Sequence, residues 1–177
     1  MSTATTRSSE PASWESYSSL GEDVRAEYID GNVIMVPSPS REHQVACARL
    51  IRALEANLPD GFDVVGAWAW KPDKNEFIPD VMVHPTTTES LRFTGTPALV
   101  VEVLSTNRGD DLVLKLNRYA QAGLSHYWIL DPKSRVLLAY GLEGDTFDLL
   151  TVVDEHEARE VGYGISAANV DVPTLLP

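Results

Sequence analysis

The chain has 177 residues, 44% hydrophobic and 23% charged, the size and balance of one ordinary globular domain rather than of a disordered or fibrous chain. Its formal net charge of −12 repels polyphosphate at long range and argues against tight, indiscriminate nucleic-acid binding, while leaving room for a local basic patch or for a divalent cation among clustered carboxylates. No apolar run approaches the roughly 18 residues that cross a bilayer, the Ser/Thr-rich start lacks the apolar core of a secretory signal, and one cysteine, Cys47, cannot close an internal disulfide; a cytoplasmic protein without membrane contact is expected.

In chain order, residues 1–12 hold too few apolar groups to offset ordering entropy and are expected to form a disordered tail, with residues 13–177 as a single domain. A short helical turn is expected near Trp14 to Leu20. Arg25 to Pro37 reads as two strands joined at Asp30-Gly31-Asn32, since an Asp-Gly step between extended runs favours a hairpin. Ser40 can cap a helix from about Arg41 to Asn57, in which His43, Cys47, Leu50, Ile51, Leu54 and Leu58 share one stripe. Three extended stretches follow: Phe62 to Trp70, Glu76 to Val83 and Ala98 to Leu104, the last apolar enough for a central strand covered on both faces. A helix over Asp110 to Ala122 carries Leu112, Leu116 and Tyr119 on one stripe, and Gly123 closes it. His126 to Pro132 is another buried strand. Arg135 to Tyr140 and Thr146 to Val153 form a hairpin around Glu143-Gly144-Asp145, and Glu157 to Pro177 carries little periodic signal. Strands, helix, strands, helix, strands in that order imply an α/β fold with a mixed sheet flanked by helices.

Two carboxylates interrupt apolar strands. Glu102 stands among apolar neighbours, where a charge is costly without a partner; it faces a polar cleft or a cation, or else makes a strand-end salt bridge to Lys115 or Arg118. Asp80, in Phe77-Ile78-Pro79-Asp80-Val81-Met82-Val83, is the second, unless Pro79-Asp80 only marks a strand entry. Two acids on neighbouring strands repel unless a hard divalent cation lies between them. Lys115, one turn beyond Asp111, can point back toward the pair and steady developing negative charge; the competing reading is an Asp111–Lys115 surface pair worth about 0.2–0.5 kcal/mol. His43, in the first turn of its helix, suits a capping or core hydrogen bond better than chemistry, although it could line a cleft near Glu27. The four histidines show no zinc spacing, one cysteine makes no thiolate cluster, and no nucleophile elbow, phosphate loop or dinucleotide fingerprint is present.

Glu27-Tyr28-Ile29-Asp30-Gly31, then Ser38-Pro39-Ser40 with His43, Pro79-Asp80-Val81, Val101-Glu102-Val103-Leu104-Ser105, Asp111 with Lys115 and Tyr119, and Tyr127-Trp128-Ile129-Leu130-Asp131-Pro132 occur in an order that resembles the putative restriction-endonuclease family (Uma-type) of the PD-(D/E)XK nuclease fold. The resemblance spans about Tyr17 to Tyr140. It implies a restriction-endonuclease-like fold: a four-stranded mixed core sheet with helices at its sides and additional hairpins. It also implies that Asp80 and Glu102 are the metal-binding acids, with Glu27 as an additional one. The sequence departs from the pattern two residues after Glu102, where Leu104 replaces lysine; Lys115, on the next helix, matches the displaced lysine.

The resemblance therefore implies a Mg²⁺- or Mn²⁺-dependent endonuclease hydrolysing DNA phosphodiester bonds, with Asp80, Glu102, Lys115 and Glu27 catalytic and His43 and Asp111 supporting. The acidic balance and the missing lysine at position 104 motivate an alternative, a weakly active or inactive binding or assembly module on the same fold. RNA or branched DNA is a third substrate reading. Strand hairpins near the C-terminus could pair two copies into a homodimer.

Overall fold

The computed structural model describes residues 9–21, 23–105 and 109–177, with backbone alone for residues 9 and 109–111. In chain order its elements are β1 (Ser9–Pro11), α1 (Trp14–Ser18), β2 (Ala26–Ile29), β3 (Asn32–Met35), α2 (Arg41–Glu55), β4 (Phe62–Gly66), β5 (Val81–Pro85), β6 (Leu99–Val103), α3 (Gly109–Gln121), β7 (His126–Asp131), β8 (Val136–Glu143), β9 (Thr146–Val153), β10 (Arg159–Gly162), β11 (Ala167–Val170) and α4 (Val172–Leu175). A mixed sheet of order β4-β5-β6-β7-β8-β9 forms the centre. Only β6 and β7 in it run parallel, and α3 makes the crossover such a pair requires. Four strands, β4 to β7, form its core, and the β8–β9 hairpin extends it to six.

Strand alternation divides the core in two. Val81, Val83, Val101, Val103, Trp128 and Leu130 pack against Leu50 and Leu54 of α2, the stripe read from the sequence. Met82, Val100, Tyr127 and Ile129 pack on the other face against Tyr119 of α3, with Trp70, Phe77, Ile29 and Ile34. Glu102 has the parity of Val100, so its side chain enters the α3 face.

Local chemistry accounts for the boundaries that position the site. Asp30 and Gly31 both have positive φ, 52° and 77°, the requirement of a two-residue turn whose twist matches its strands. Ser40 Oγ accepts the N–H of His43 at 3.2 Å and caps α2. Its replacement by alanine should lower stability by about 1 kcal/mol in urea unfolding. The stretch expected over Phe62 to Trp70 stops at Gly66, since Ala67 takes φ 52°. The one expected over Glu76 to Val83 begins only at Val81; Pro79 offers no ladder N–H, and Asp80 is left at the mouth of the strand rather than within it.

Two further expectations are revised. Of the segment expected to be a tail, residues 1–8 lie outside the described residues, and Ser9–Pro11 pairs with β3, Ser9 opposite Ile34. The C-terminal segment without periodic signal is built into the core: β10 pairs with β11, and Val161, Tyr163, Ala168, Val170, Val172 and Leu175 join the α2-side cluster. Among the described residues no helix is long and apolar enough to cross a membrane.

Candidate active site

The antiparallel register puts Val81 opposite Val101, which brings Asp80 level with Glu102 at one end of the sheet. The Asp80 carboxylate crosses to the neighbouring strand, where the N–H of Val103 donates to its Oδ2 at 2.8 Å. His43 Nε2, from the first turn of α2, approaches the same oxygen at 3.1 Å. His43 thus braces Asp80; capping by Ser40 fixes the helix turn that carries it.

Behind Asp80 the polar groups are sealed from solvent. Lys115 Nζ lies 3.0 Å from Glu102 Oε1 and 2.9 Å from Glu27 Oε1, and Glu27, Glu102 and Lys115 are 0%, 4% and 4% exposed. The N–H of Ile78 also donates to Glu27 Oε1, at 3.0 Å. Lys115 is therefore no exposed partner of Asp111, whose side chain lies outside the described residues. Of the two salt bridges considered for Glu102, the one to Lys115 forms, while Arg118 pairs with Asp30.

Tyr119, on the apolar stripe of α3, also reaches the site. Its hydroxyl donates to Glu102 Oε1 at 2.8 Å. The signal was its position four residues after Lys115, which places both on one helix face. Tyr119→Phe should leave that face packed but loosen Glu102, an effect read as a shifted pH profile of unfolding.

The electrostatics follow from burial and charge count. Burial pushes the Glu102 carboxyl up to about 7, the negative charges of Asp80 and Glu27 add to this, and the Lys115 ammonium opposes it. Asp80 goes the other way. Burial raises it, but the hydrogen bond and charge of His43, the Val103 N–H and the Lys115 ammonium outweigh burial and hold it below the ordinary carboxylate range. Burial, followed by the Glu102 charge, keeps the Tyr119 phenol protonated. Lys115 thus pairs with Glu102 and Glu27, with the Asp80 charge near enough to be felt by both Glu102 and Lys115, an excess of negative charge that a hard divalent cation would balance with oxygen ligands of the type it prefers.

A cavity of about 470 Å³ opens in front of Asp80, lined among others by His43, Ser40, Val103, Arg25 and Arg135. Neither arginine was singled out from the sequence, because nothing in their spacing announces a shared wall. The fold also brings together His43, Cys47 and Asp80, whose ligand atoms lie within 4.8 Å of one another, although no zinc-like spacing is visible along the chain.

The family model described as Putative restriction endonuclease, Uma2, matches residues 14–168. The chain belongs to this family. A crystal structure of a putative nuclease belonging to DUF820 from Anabaena variabilis ATCC 29413 superposes with a TM-score of 0.77 at 16% identity, covering 93% of this chain and 97% of that one. At such identity the likeness is one of fold, and it agrees with the mixed sheet and flanking helices described above. Among curated proteins nothing matches the sequence. Membership of a restriction-endonuclease-like nuclease family accords with the position of the acids at one end of the sheet.

Proposed function

We propose that this member of the nuclease family hydrolyses DNA phosphodiester bonds with Mg²⁺ or Mn²⁺, and that Asp80 and Glu102 hold the ion. The observation that carries the proposal is the charge count: Lys115 pairs with two almost fully buried carboxylates, Glu27 and Glu102, and the negative charge of Asp80 lies near enough to raise Glu102 further. When bound, a divalent cation supplies a lowered pKa for water and neutralises charge on the phosphate.

The remaining roles belong to the protein. Lys115 orients the attacking water and offsets the negative charge that builds on the phosphoryl oxygens. Glu27, whose Oε1 already accepts from Lys115 and Ile78, orients that ammonium and adds negative charge to the site. His43 and the Val103 N–H fix Asp80, and Tyr119 fixes Glu102. Arg25 and Arg135, on the cavity wall, contact the phosphate backbone and provide locally what the net charge of −12 denies globally.

The lone cysteine favours a cytoplasmic setting. A homodimer is supported by β9, an edge strand of the sheet among the described residues, where Leu149, Leu150 and Val152 are 50%, 56% and 44% exposed, apolar groups that a second copy would cover.

Calorimetry with Mn²⁺ and a plasmid-cleavage assay test the proposal together. The wild-type chain should bind Mn²⁺ and nick plasmid, and Asp80→Asn should weaken Mn²⁺ binding by at least roughly 100-fold, more than the loss of an outer hydrogen-bonding partner costs. Absence of both binding at millimolar Mn²⁺ and cleavage would favour the second reading, a binding module on the nuclease fold. That reading rests on Lys115 being held between two glutamates and on the acidic surface.

A further inference from the structure

A second donor set shares Asp80 with the proposed nuclease site, and its chemistry is softer. His43 and Cys47 are four residues apart on α2, so their side chains rise from the same helix face. Around a tetrahedral ion, bonds of about 2.3 Å to sulfur and 2.0 Å to nitrogen leave the two ligand atoms about 3.5 Å apart. Cys47 Sγ lies 3.6 Å from His43 Nδ1. Asp80 Oδ2 meets the other ring nitrogen, Nε2, at 3.1 Å, yet one ligand atom from each of the three residues lies within 4.8 Å of the others, so that an ion on the Cys47 side of the imidazole draws the carboxylate off Nε2. A separate cavity of about 180 Å³, lined by all three residues and by Gly66, Ala67 and Arg25, gives space for a water as fourth ligand.

We infer that Cys47 Sγ, one ring nitrogen of His43 and one carboxylate oxygen of Asp80 form a site for a borderline-soft divalent ion of the zinc class, and that filling it withdraws Asp80 from the Mg²⁺ or Mn²⁺ site. The second half of this inference rests on the nuclease reading above; the first does not. Mg²⁺ and Mn²⁺ favour the oxygen pair Asp80 and Glu102, whereas thiolate and imidazole select zinc-like ions. On binding, the Cys47 thiol releases its proton to solvent, and sulfur and ion form the new bond. The resulting thiolate and Asp80 place two negative charges against Arg25 at the cavity rim, so a dication remains electrostatically favoured. Asp80 cannot point its carboxylate at both ions in the geometry each requires. Zinc would then be an inhibitor that acts by capturing a ligand, with no need to reach the buried Glu102.

Cobalt(II) serves as the spectroscopic probe for the full chain. A near-ultraviolet thiolate-to-cobalt charge-transfer band should appear on titrating wild type and be absent from Cys47→Ser and Cys47→Ala. In calorimetry, saturating Zn²⁺ should weaken the apparent Mn²⁺ affinity of wild type at least tenfold more than that of the Cys47 variants, in which only direct competition at the oxygen ligands remains. A wild-type titration without the thiolate band overturns the inference, as does equal zinc competition in the variants. Since the band is read on wild type, misfolding of a variant cannot rescue the idea. Loss of the nuclease reading would show separately, as absent Mn²⁺ heat in a protein whose cobalt band still reports the softer site.

Discussion

Glu102→Gln should reduce metal-dependent cleavage to background, a loss of at least about a thousandfold, because a metal ligand contributes several kcal/mol of transition-state charge stabilisation and each 1.4 kcal/mol is tenfold. Glutamine keeps the shape and can still accept from Lys115 and Tyr119, so the fold should persist. The same substitution should alter how stability depends on pH. Burial first, then Asp80 and Glu27, raises Glu102 from 4.5 to about 7. A carboxylate raised on folding carries its full share of stability below its unfolded pKa and loses it as pH rises through the folded value. In the metal-free protein this costs on the order of 3 kcal/mol between about pH 4.5 and pH 7.

Glutamine does not titrate. The stability of Glu102→Gln relative to wild type should therefore grow across that window when both are unfolded by denaturant in the presence of a chelator. Parallel pH profiles for the two proteins would show that Glu102 is not an ionising group under strain. Asp80, held low, acts in the opposite direction: its contribution is present above its unfolded pKa of about 3.8 and is lost only as acid brings the pH down through the lower folded value, so the two groups are separable on the pH axis.

Lys115→Met is expected to be the most destabilising single change at the site. The ammonium is 4% exposed and touches two acids that are 0% and 4% exposed. Removing one partner of a buried ionic cluster leaves charge without compensation and typically costs about 3–5 kcal/mol. The loss should be largest near pH 8 and shrink toward pH 5, because Lys115 is the main influence holding Glu102 down, and without it that carboxyl takes up a proton more readily. Urea unfolding at both pH values measures this. A cost below about 1 kcal/mol at pH 8 would place Lys115 among ordinary surface pairs, against its burial. A double substitution with Glu102→Gln should recover part of the loss, since it removes one of the charges left behind.

How much of this could be read along the chain depends on the range of the interactions. The Asp30-Gly31 turn, the Ser40 cap and the α2 stripe are local. Backbone conformation, capping and helical periodicity act within a few residues, and their signals lie in contiguous sequence. The near-continuous apolar run of β6 was equally plain, and with it the anomaly of Glu102 inside it. Asp80 was singled out by the same anomaly, though its placement just outside β5 depended on Pro79 breaking the ladder.

The central strands, the two main helices and a short set of charged residues in unusual surroundings are visible along the chain, because each breaks or obeys a local pattern. Which of those charges meet is set by the folding of distant segments against one another. Strand register set Asp80 beside the Glu102 strand, α3 carried Lys115 and Tyr119 across to Glu102, and α2 turned His43 toward Asp80. The same holds for the C-terminal segment, whose strands of four residues each are too short to show a period and take their place by packing Val161, Tyr163 and Val172 into the core. The physical reason is common to all of these: burial and ion pairing between distant segments are fixed by three-dimensional distance, and one-dimensional spacing carries no record of it.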